Sequence, residues 1–246
     1  MSVPESKSSP TGLRTVALVP AAGRGLRMGG SVPKQFLALG GRPILAQSLH
    51  VLQASPVIHE IILAVPQADR QYCLDHFVAP GEFGKVTKVV SGGAQRQDSV
   101  RHALAEVSEA DIILVHDAVR PFLTGDMIRR VVDAAAEHGA AIIALPMRDT
   151  VKYVGAGGVI ERTIDRGPLW LAQTPQAFRR ACLEEAHRKA LLGNIHATDD
   201  AHLVELLGKP VVVVEGSGEN IKVTRPEDLV IGEAILQSRT ATRSAE

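Results

Sequence analysis

The sequence predicts an α/β protein built on a doubly wound, mostly parallel sheet, with a protruding β-arm. Three observations carry this. Short β-branched runs alternate with amphipathic segments along nearly the whole chain, which is the rhythm of βαβ units. The runs are apolar almost throughout rather than at every second residue, as strands covered on both faces must be. One stretch, Met147–Trp170, breaks the rhythm with hairpin character and no helix of its own.

Taken in order, residues 1–12 are polar and rich in Ser and Pro and read as a flexible tail. A single domain follows over 13–239, with the β-arm at 147–170, and 240–246 form a C-terminal tail. The strands are Thr15–Pro20, Glu60–Val65, Lys85–Val90, Asp111–His116, Ala140–Leu145 and Pro210–Glu215. Helices are expected over Pro43–Ala54, Asp69–Val78, Gln95–Val107, Thr124–His138 and Pro175–Leu192. In the arm, Gly155, Gly157 and Gly158 supply the turn. Right-handed crossovers gather the strand C-termini on one edge, where ligands of such sheets bind. A projecting hairpin has to pack on something, and a second copy of the chain is the expected partner, giving a homodimer.

Composition narrows the function. A chain of 246 residues with 45% hydrophobic content can bury a full core. Lys plus Arg and Asp plus Glu both number 27, so the domain-wide basic footprint of a nucleic-acid binder is missing. Five Phe, two Tyr and one Trp are too few for a base-stacking platform. No apolar run approaches the roughly 18 residues of a membrane helix, and the polar N-terminus lacks a signal-peptide core. Cys73 and Cys182 stand alone without metal-ligand spacing and read as buried small hydrophobes. What remains is a cytoplasmic protein acting on small molecules.

The overall charge balance hides a local asymmetry. From Ser6 to His59, 54 residues contain no Asp or Glu, yet carry Lys7, Arg14, Arg24, Arg27, Lys34 and Arg42. This one-sign region surrounds the glycine-rich loop after the first strand, PAAGRGLRMGGSVPKQ at Pro20–Gln35, and reads as an anion site. Two common phosphate-loop templates fail here. The dinucleotide fingerprint would need glycine at Met28, and the P-loop spacing of Gly25 and Gly30 puts Ser31 where lysine belongs. A glycine-rich turn lined by Arg24, Arg27 and Lys34 still suits a polyphosphate.

The loop PAAGxGxRM…PKQ resembles the signature of the 2-C-methyl-D-erythritol 4-phosphate cytidylyltransferase family of the non-mevalonate isoprenoid route. The resemblance continues in order through Gly92–Val100, His116–Phe122, Asp149–Lys152, Thr163–Trp170, Thr174–Phe178, Ala197–Ala201 and Asn220–Leu229. It implies a Rossmann-like nucleotidyltransferase fold, and a reaction in which a phosphate-monoester oxygen attacks the α-phosphorus of CTP and pyrophosphate leaves. Such a nucleophile needs no general base, being mostly dianionic at neutral pH. The absence of a Ser-His-Asp set is therefore expected.

The resemblance also implies roles. Arg27 and Lys34 would stabilise the transition state, and Arg166 and Lys222 would hold the acceptor phosphate, Arg166 reaching the partner's site. Ala21, Ala22, Gly23, Gly25, Gly92, Gly93, Arg96, Ser99 and Ala118 would contact the nucleotide, with Gly92, Gly93 and Ser99 reading the cytosine. Arg120, Thr150, Thr174 and Thr198 match substrate-side positions, although Thr198 equally reads as the N-cap of a helix over 199–207. Asp117, at a strand C-terminus, would face Mg²⁺. Ala94 and Gln95 follow the glycine pair where some members of the family carry acidic residues. His116 reads as a buried strand histidine. The cluster His196, Asp199, Asp200 and His202 is discounted as a metal site. Two alternatives share the motifs or the fold: a ribitol-5-phosphate cytidylyltransferase, and a CTP-binding regulator without turnover.

Overall fold

The computed structural model describes residues 12–23 and 32–244. The chain opens with β1 (Thr15–Pro20), a small hairpin of β2 (Ala38–Leu39) and β3 (Arg42–Pro43), then α1 (Ile44–Ala54) and β4 (Glu60–Val65). Next come α2 (Arg70–Cys73), β5 (Val86–Ser91), α3 (Arg96–Ala105), β6 (Ile112–Val115), α4 (Gly125–His138) and β7 (Ala140–Pro146). A second hairpin, β8 (Val151–Val154) and β9 (Ile160–Ile164), precedes β10 (Trp170–Arg179), α5 (Arg180–Leu192) and α6 (Asp200–Glu205). Strand β11 (Val212–Glu215) and α7 (Pro226–Ser244) finish the chain. Helix α7 thus runs into the stretch expected as a tail, and residues 1–11 lie outside the described residues.

Seven strands form one sheet in the order β11-β7-β10-β6-β1-β4-β5. All neighbours are parallel except β10, which runs antiparallel to both β6 and β7. The doubly wound, mostly parallel α/β class is therefore the observed one. Alternate residues of β1 point to opposite faces, and both faces are dry. Ala17 and Val19 join Leu45 and Leu49 of α1 and Ile128 and Val131 of α4. Val16 and Leu18 join Val100 and Leu104 of α3, Leu183 of α5 and Leu203 of α6. A third cluster, Leu39, Ile44, Phe122 and Val223, is covered by Leu229 and Leu236 of α7.

Helix ends follow local chemistry. Thr124 Oγ1 caps α4 by accepting from the Met127 N–H at 3.2 Å, and Gly139 at φ 94° lets the chain turn directly into β7. The expected helix Asp69–Val78 is instead a 3₁₀ turn (Gln67–Asp69), α2 and a π turn (Leu74–Val78).

One expected element is different in kind. Pro175–Leu192 reads as a helix opening on proline, yet 175–179 are strand and the helix starts at Arg180. The register of β10 against β7 shifts between Ala172 and Gln176. Proline is tolerated inside a central strand at such an irregularity, where no ladder bond is needed. The segment expected as an arm contains the antiparallel pair β8–β9, mostly exposed, with Gly157 and Gly158 at φ 76° and 78° in its turn.

Leu18 sits fully buried in the central strand. Leu18→Ala is expected to cost about 2–5 kcal/mol, read as a lower urea midpoint at an unchanged denaturant slope.

Candidate active site

The C-terminal ends of β1, β4, β5 and β6 lie along one edge of the sheet, and two clefts open there. The first, about 150 Å³, is lined by Ala21, Ala22, Gly23, Lys34, Gly93, Arg96, Ser99, Asp117, Ala118 and Lys222, with Gln35 and Gln95 among its other walls. The second, about 210 Å³, is lined by Arg96, Asp117, Arg120, Thr174, Gln176, Thr198, Asp199 and Lys222. Arg96, Asp117 and Lys222 belong to both. Residues separated by more than 120 positions in sequence thus meet at a shared wall.

That wall is an ion-paired triad. Arg96 Nε donates to one oxygen of the Asp117 carboxylate at 2.7 Å, and Lys222 Nζ meets the other at 2.7 Å. Burial alone would raise the Asp117 carboxyl, but the Arg96 and Lys222 cations hold it far below the usual carboxylate range. Arg96 is gripped from behind as well, its Nη1 donating to Asp200 at 2.7 Å. Burial opposes its charge, and Asp200 and Asp117 more than restore it.

Backbone placement of Asp117 has its own cause. Residue 116 follows β6, and its buried imidazole lies 3.1 Å from the Arg120 carbonyl through Nε2. A carbonyl only accepts, so Nε2 carries the hydrogen and Nδ1 accepts from the Thr174 hydroxyl at 3.2 Å. The same Thr174 oxygen accepts the Asp117 N–H at 3.0 Å. Thr174 is therefore buried with its hydroxyl committed to holding Asp117, although it lines the second cleft.

Lys222 lies in irregular chain between β11 and α7. Its segment is anchored on both sides: Asn220 Nδ2 donates to the Thr174 carbonyl at 2.9 Å, and the Val223 N–H to the Val119 carbonyl at 2.8 Å. The Asn220 carbonyl accepts from Arg120 Nη1 at 2.8 Å, tying the second cleft's cation to the same segment.

Gly93 lines the first cleft, and Gly92 packs against Ala22 and Ser99 of its wall. A Cβ on Gly92 would fall 2.3 Å from the Ala22 side chain, and one on Gly93 2.1 Å from that of Asp98, so only glycine lets these loops approach. Ser99 Oγ accepts from the Gly93 N–H and donates to the Gln95 carbonyl, each at 3.1 Å, and so shapes this loop from within. Gln95 and Asp98 form a reciprocal capping box at the start of α3. Lys34 opens a 3₁₀ turn held in place by buried Gln35, whose Nε2 donates to the Ala21 carbonyl at 2.8 Å.

Most of the residues expected at the site converge here. Gly25 and Arg27 lie outside the described residues. Thr150 and Arg166 are exposed and line neither cleft; Arg166 donates instead to the Arg148 carbonyl. Thr198 does line the second cleft, but the cap of α6 is Asp199, which accepts from the His202 N–H at 3.0 Å. The sequence assigned no role here to Gln35, Gln176, His187 or Asn220, and weighed Asp200 only as a discounted metal ligand. Gln35, Gln176, Asp200 and Asn220 sat inside quoted motifs, and His187 had no signal beyond a helical position.

Asp117 is the carboxylate common to both clefts. A carboxylate offers about four acceptor sites, and Arg96 and Lys222 take one each, so capacity for a metal ion remains. Two cations beside it oppose a third unless polyphosphate oxygens arrive with it. This suits Mg²⁺, which takes one or two carboxylates and fills its shell with phosphate oxygens and water. Among the described residues no cluster of three or more acidic, His or Cys side chains forms a metal cage, and no helix is long and apolar enough to cross a membrane.

The fold and the paired clefts define a nucleotidyltransferase: one pocket lined by Ala21, Ala22, Gly23 and Lys34, a second beside it, and cations on the wall between them. The family model for 2-C-methyl-D-erythritol 4-phosphate cytidylyltransferase (IspD) matches residues 15–238, and the chain belongs to that family. A relative of that name from Syntrophus aciditrophicus is 49% identical over 225 residues, covering 91% of this chain and 96% of that protein. Another, from Geobacter metallireducens, is 45% identical over 227 residues, covering 91% and 97%. The crystal structure of the enzyme so named from Thermus thermophilus superposes with a TM-score of 0.76 at 37% identity, over 92% of this chain and all of that one. The family carries methylerythritol phosphate, not ribitol phosphate, in its name.

The buried His116 ring gives a testable pH dependence. Burial pushes it down to about 4 from an ordinary value of 6.5, against the partial support of Asp117. Between these values the unfolded chain binds a proton that the folded chain refuses, so stability is full above about pH 6.5 and falls toward pH 4. Urea midpoints should decline over that window, and His116→Gln should flatten the decline.

Proposed function

We propose that this chain transfers CMP from CTP to 2-C-methyl-D-erythritol 4-phosphate, giving CDP-methylerythritol and pyrophosphate. The observation that carries the mechanism is the shared wall. CTP occupies the first cleft with its base against Gly92, Gly93 and the Ser99 loop, and its triphosphate toward Gly23 and Lys34. The acceptor occupies the second cleft, its phosphate between Lys222 and Arg120. The two reacting groups then face each other across Arg96, Asp117 and Lys222.

An acceptor phosphate oxygen forms the new bond to the α-phosphorus while the α–β anhydride bond breaks in line, and pyrophosphate departs with its electron pair. No proton has to be removed from a dianionic nucleophile. The chain's work is to bring two anions together and to stabilise the spread of charge, with Arg27, Lys34, Arg96 and Lys222 as the cations. Asp117 would hold Mg²⁺, which when bound neutralises triphosphate charge. Asp117 also keeps the flanking cations apart and aimed.

Arg166 is read as acting from the neighbouring subunit of a homodimer, through the hairpin segment, with Thr150 beside it. Its exposure and its absence from the lining of both clefts of its own chain support this. The hairpin and its root expose Tyr153, Val154, Val159, Ile160, Trp170 and Leu171 together, an apolar set suited to an interface. The setting is read as the cytoplasm, where CTP is made and used.

The direct test follows pyrophosphate release from CTP and Mg²⁺, with methylerythritol 4-phosphate and ribitol 5-phosphate offered in parallel. Release with the first and not the second is expected. Release with ribitol phosphate alone would overturn the acceptor, and CTP binding with no release from either would leave a regulator. A second test asks whether Arg166 serves the other subunit. Arg166→Ala and Lys222→Ala should each be nearly inactive, and co-expression of the two should restore about a quarter of wild-type activity, since half the dimers are mixed and each mixed dimer has one intact site. No recovery would place Arg166 in its own chain's chemistry or in none.

A further inference from the structure

Behind the cleft, the line of paired charges continues into the protein. His187 on α5 and Asp200 at the start of α6 are 2% and 1% exposed. His187 Nε2 lies 3.0 Å from one oxygen of Asp200, whose other oxygen accepts from Arg96 Nη1 at 2.7 Å. A carboxylate accepts only, so the ring nitrogen facing it carries the hydrogen. With the Arg96–Asp117 and Asp117–Lys222 contacts, both 2.7 Å, five side chains from five segments form one unbroken string ending at the shared wall.

A role in stability alone explains this string poorly. Buried ion pairs with their desolvation cost are often matched or bettered by apolar packing of the same volume. What apolar packing cannot do is orient a guanidinium. Arg96 is held at two points of its planar fork, Nε by Asp117 and Nη1 by Asp200, while Nη2 is buried without a partner among the described residues. The plane of the group is thereby fixed, with the N–H donors of Nη2 unspent. Burial would raise the Asp200 carboxyl, but Arg96 and the His187 N–H bring it below its ordinary value. Asp200 is itself pinned from the sheet: Gln176 Oε1 accepts its backbone N–H at 3.2 Å.

We propose that His187 and Asp200 are positioning residues of the transfer reaction: the imidazole N–H fixes the Asp200 carboxylate, which fixes Arg96 and, through Asp117, Lys222. The inference rests on reading Arg96 and Lys222 as phosphate-holding groups. Neither His187 nor Asp200 touches substrate. Loss of the imidazole N–H frees one carboxylate oxygen, letting Asp200 turn and take more of the guanidinium, which draws Arg96 away from Asp117. The error falls on alignment at the reacting centre, so it appears in kcat rather than in CTP binding.

The test compares His187→Leu, His187→Gln, Asp200→Asn and Arg96→Met in the full-length enzyme, by steady-state pyrophosphate release with each substrate varied and by thermal melting. Arg96→Met should lose more than about 100-fold in turnover. His187→Leu and Asp200→Asn should lose about 10- to 100-fold in kcat, with KM for CTP within about twofold. His187→Gln, whose amide can donate from nearly the place of Nε2, should recover most of the loss. Wild-type kcat in His187→Leu, or equal losses in the Leu and Gln variants that follow only their melting temperatures, would overturn the proposal. Should the Leu variant fail to fold, Asp200→Asn decides, and unchanged kcat there overturns it equally. Full activity in Arg96→Met would instead remove the underlying reading of the wall.

Discussion

A carboxylate held between two cations is the constraint from which the geometry of this site follows. Asp117 accepts from Arg96 on one oxygen and meets Lys222 on the other, and each cation comes from a different part of the chain. Left alone, an arginine and a lysine this close would repel and splay into solvent. The ionised carboxylate holds both at the same wall while leaving the site with positive charge to spare. The elements around it serve that arrangement: β6 delivers Asp117, the capping box of α3 sets the root of Arg96, and Asn220 pins the segment carrying Lys222. The buried His116–Thr174 pair holds the Asp117 backbone, so even the apolar sheet transmits its rigidity to one carboxylate.

Much of the fold was legible because its strands are covered on both faces. Val16–Val19, Ile61–Val65 and Ile112–Val115 are continuous apolar runs for that reason, and periodicity finds them readily. β10 was hidden by the opposite circumstance. Its proline sits at a register irregularity, so the strand contains the residue that ordinarily opens a helix, and local sequence carries no sign of the two neighbours that override it. The split of the expected helix after Asp69 into three helical types is likewise set by packing.

The site divides in the same way. Lys34, Gly92, Gly93, Arg96, Asp117 and Lys222 lie in short motifs, where the local chain alone carries the pattern. His187 acts through Asp200, 13 positions away and on another helix, and no local pattern marks a residue whose meaning is such a contact; Asn220 lay inside a motif, but its side-chain partners, 46 and 47 positions away, did not show there. Ser99 and Thr174 were legible as members of the site but not in what they do: both hydroxyls are bound to the protein's own loops. A hydroxyl in a motif shows that a hydrogen bond is needed, not who receives it.

The single antiparallel strand also decides where a second subunit could contribute. β6 and β7 both end at the cleft edge of the sheet, and β10, running against them, begins there, with Trp170 opposite Pro146 and Gln176 opposite Val115. The chain therefore leaves the sheet at the cleft edge after β7, forms the β8–β9 hairpin, and re-enters at the same edge. A parallel strand in this position would have needed a crossover to the far edge, and a covering helix in place of an exposed hairpin. With β10 reversed, the root of the hairpin, Arg166 included, is kept on the side of the sheet where the chemistry takes place. Thr174 at the start of the central part of β10 then meets Asp117 at the end of β6. One reversal of strand direction thus places both the pin that holds the carboxylate and the exposed hairpin beside the cleft edge.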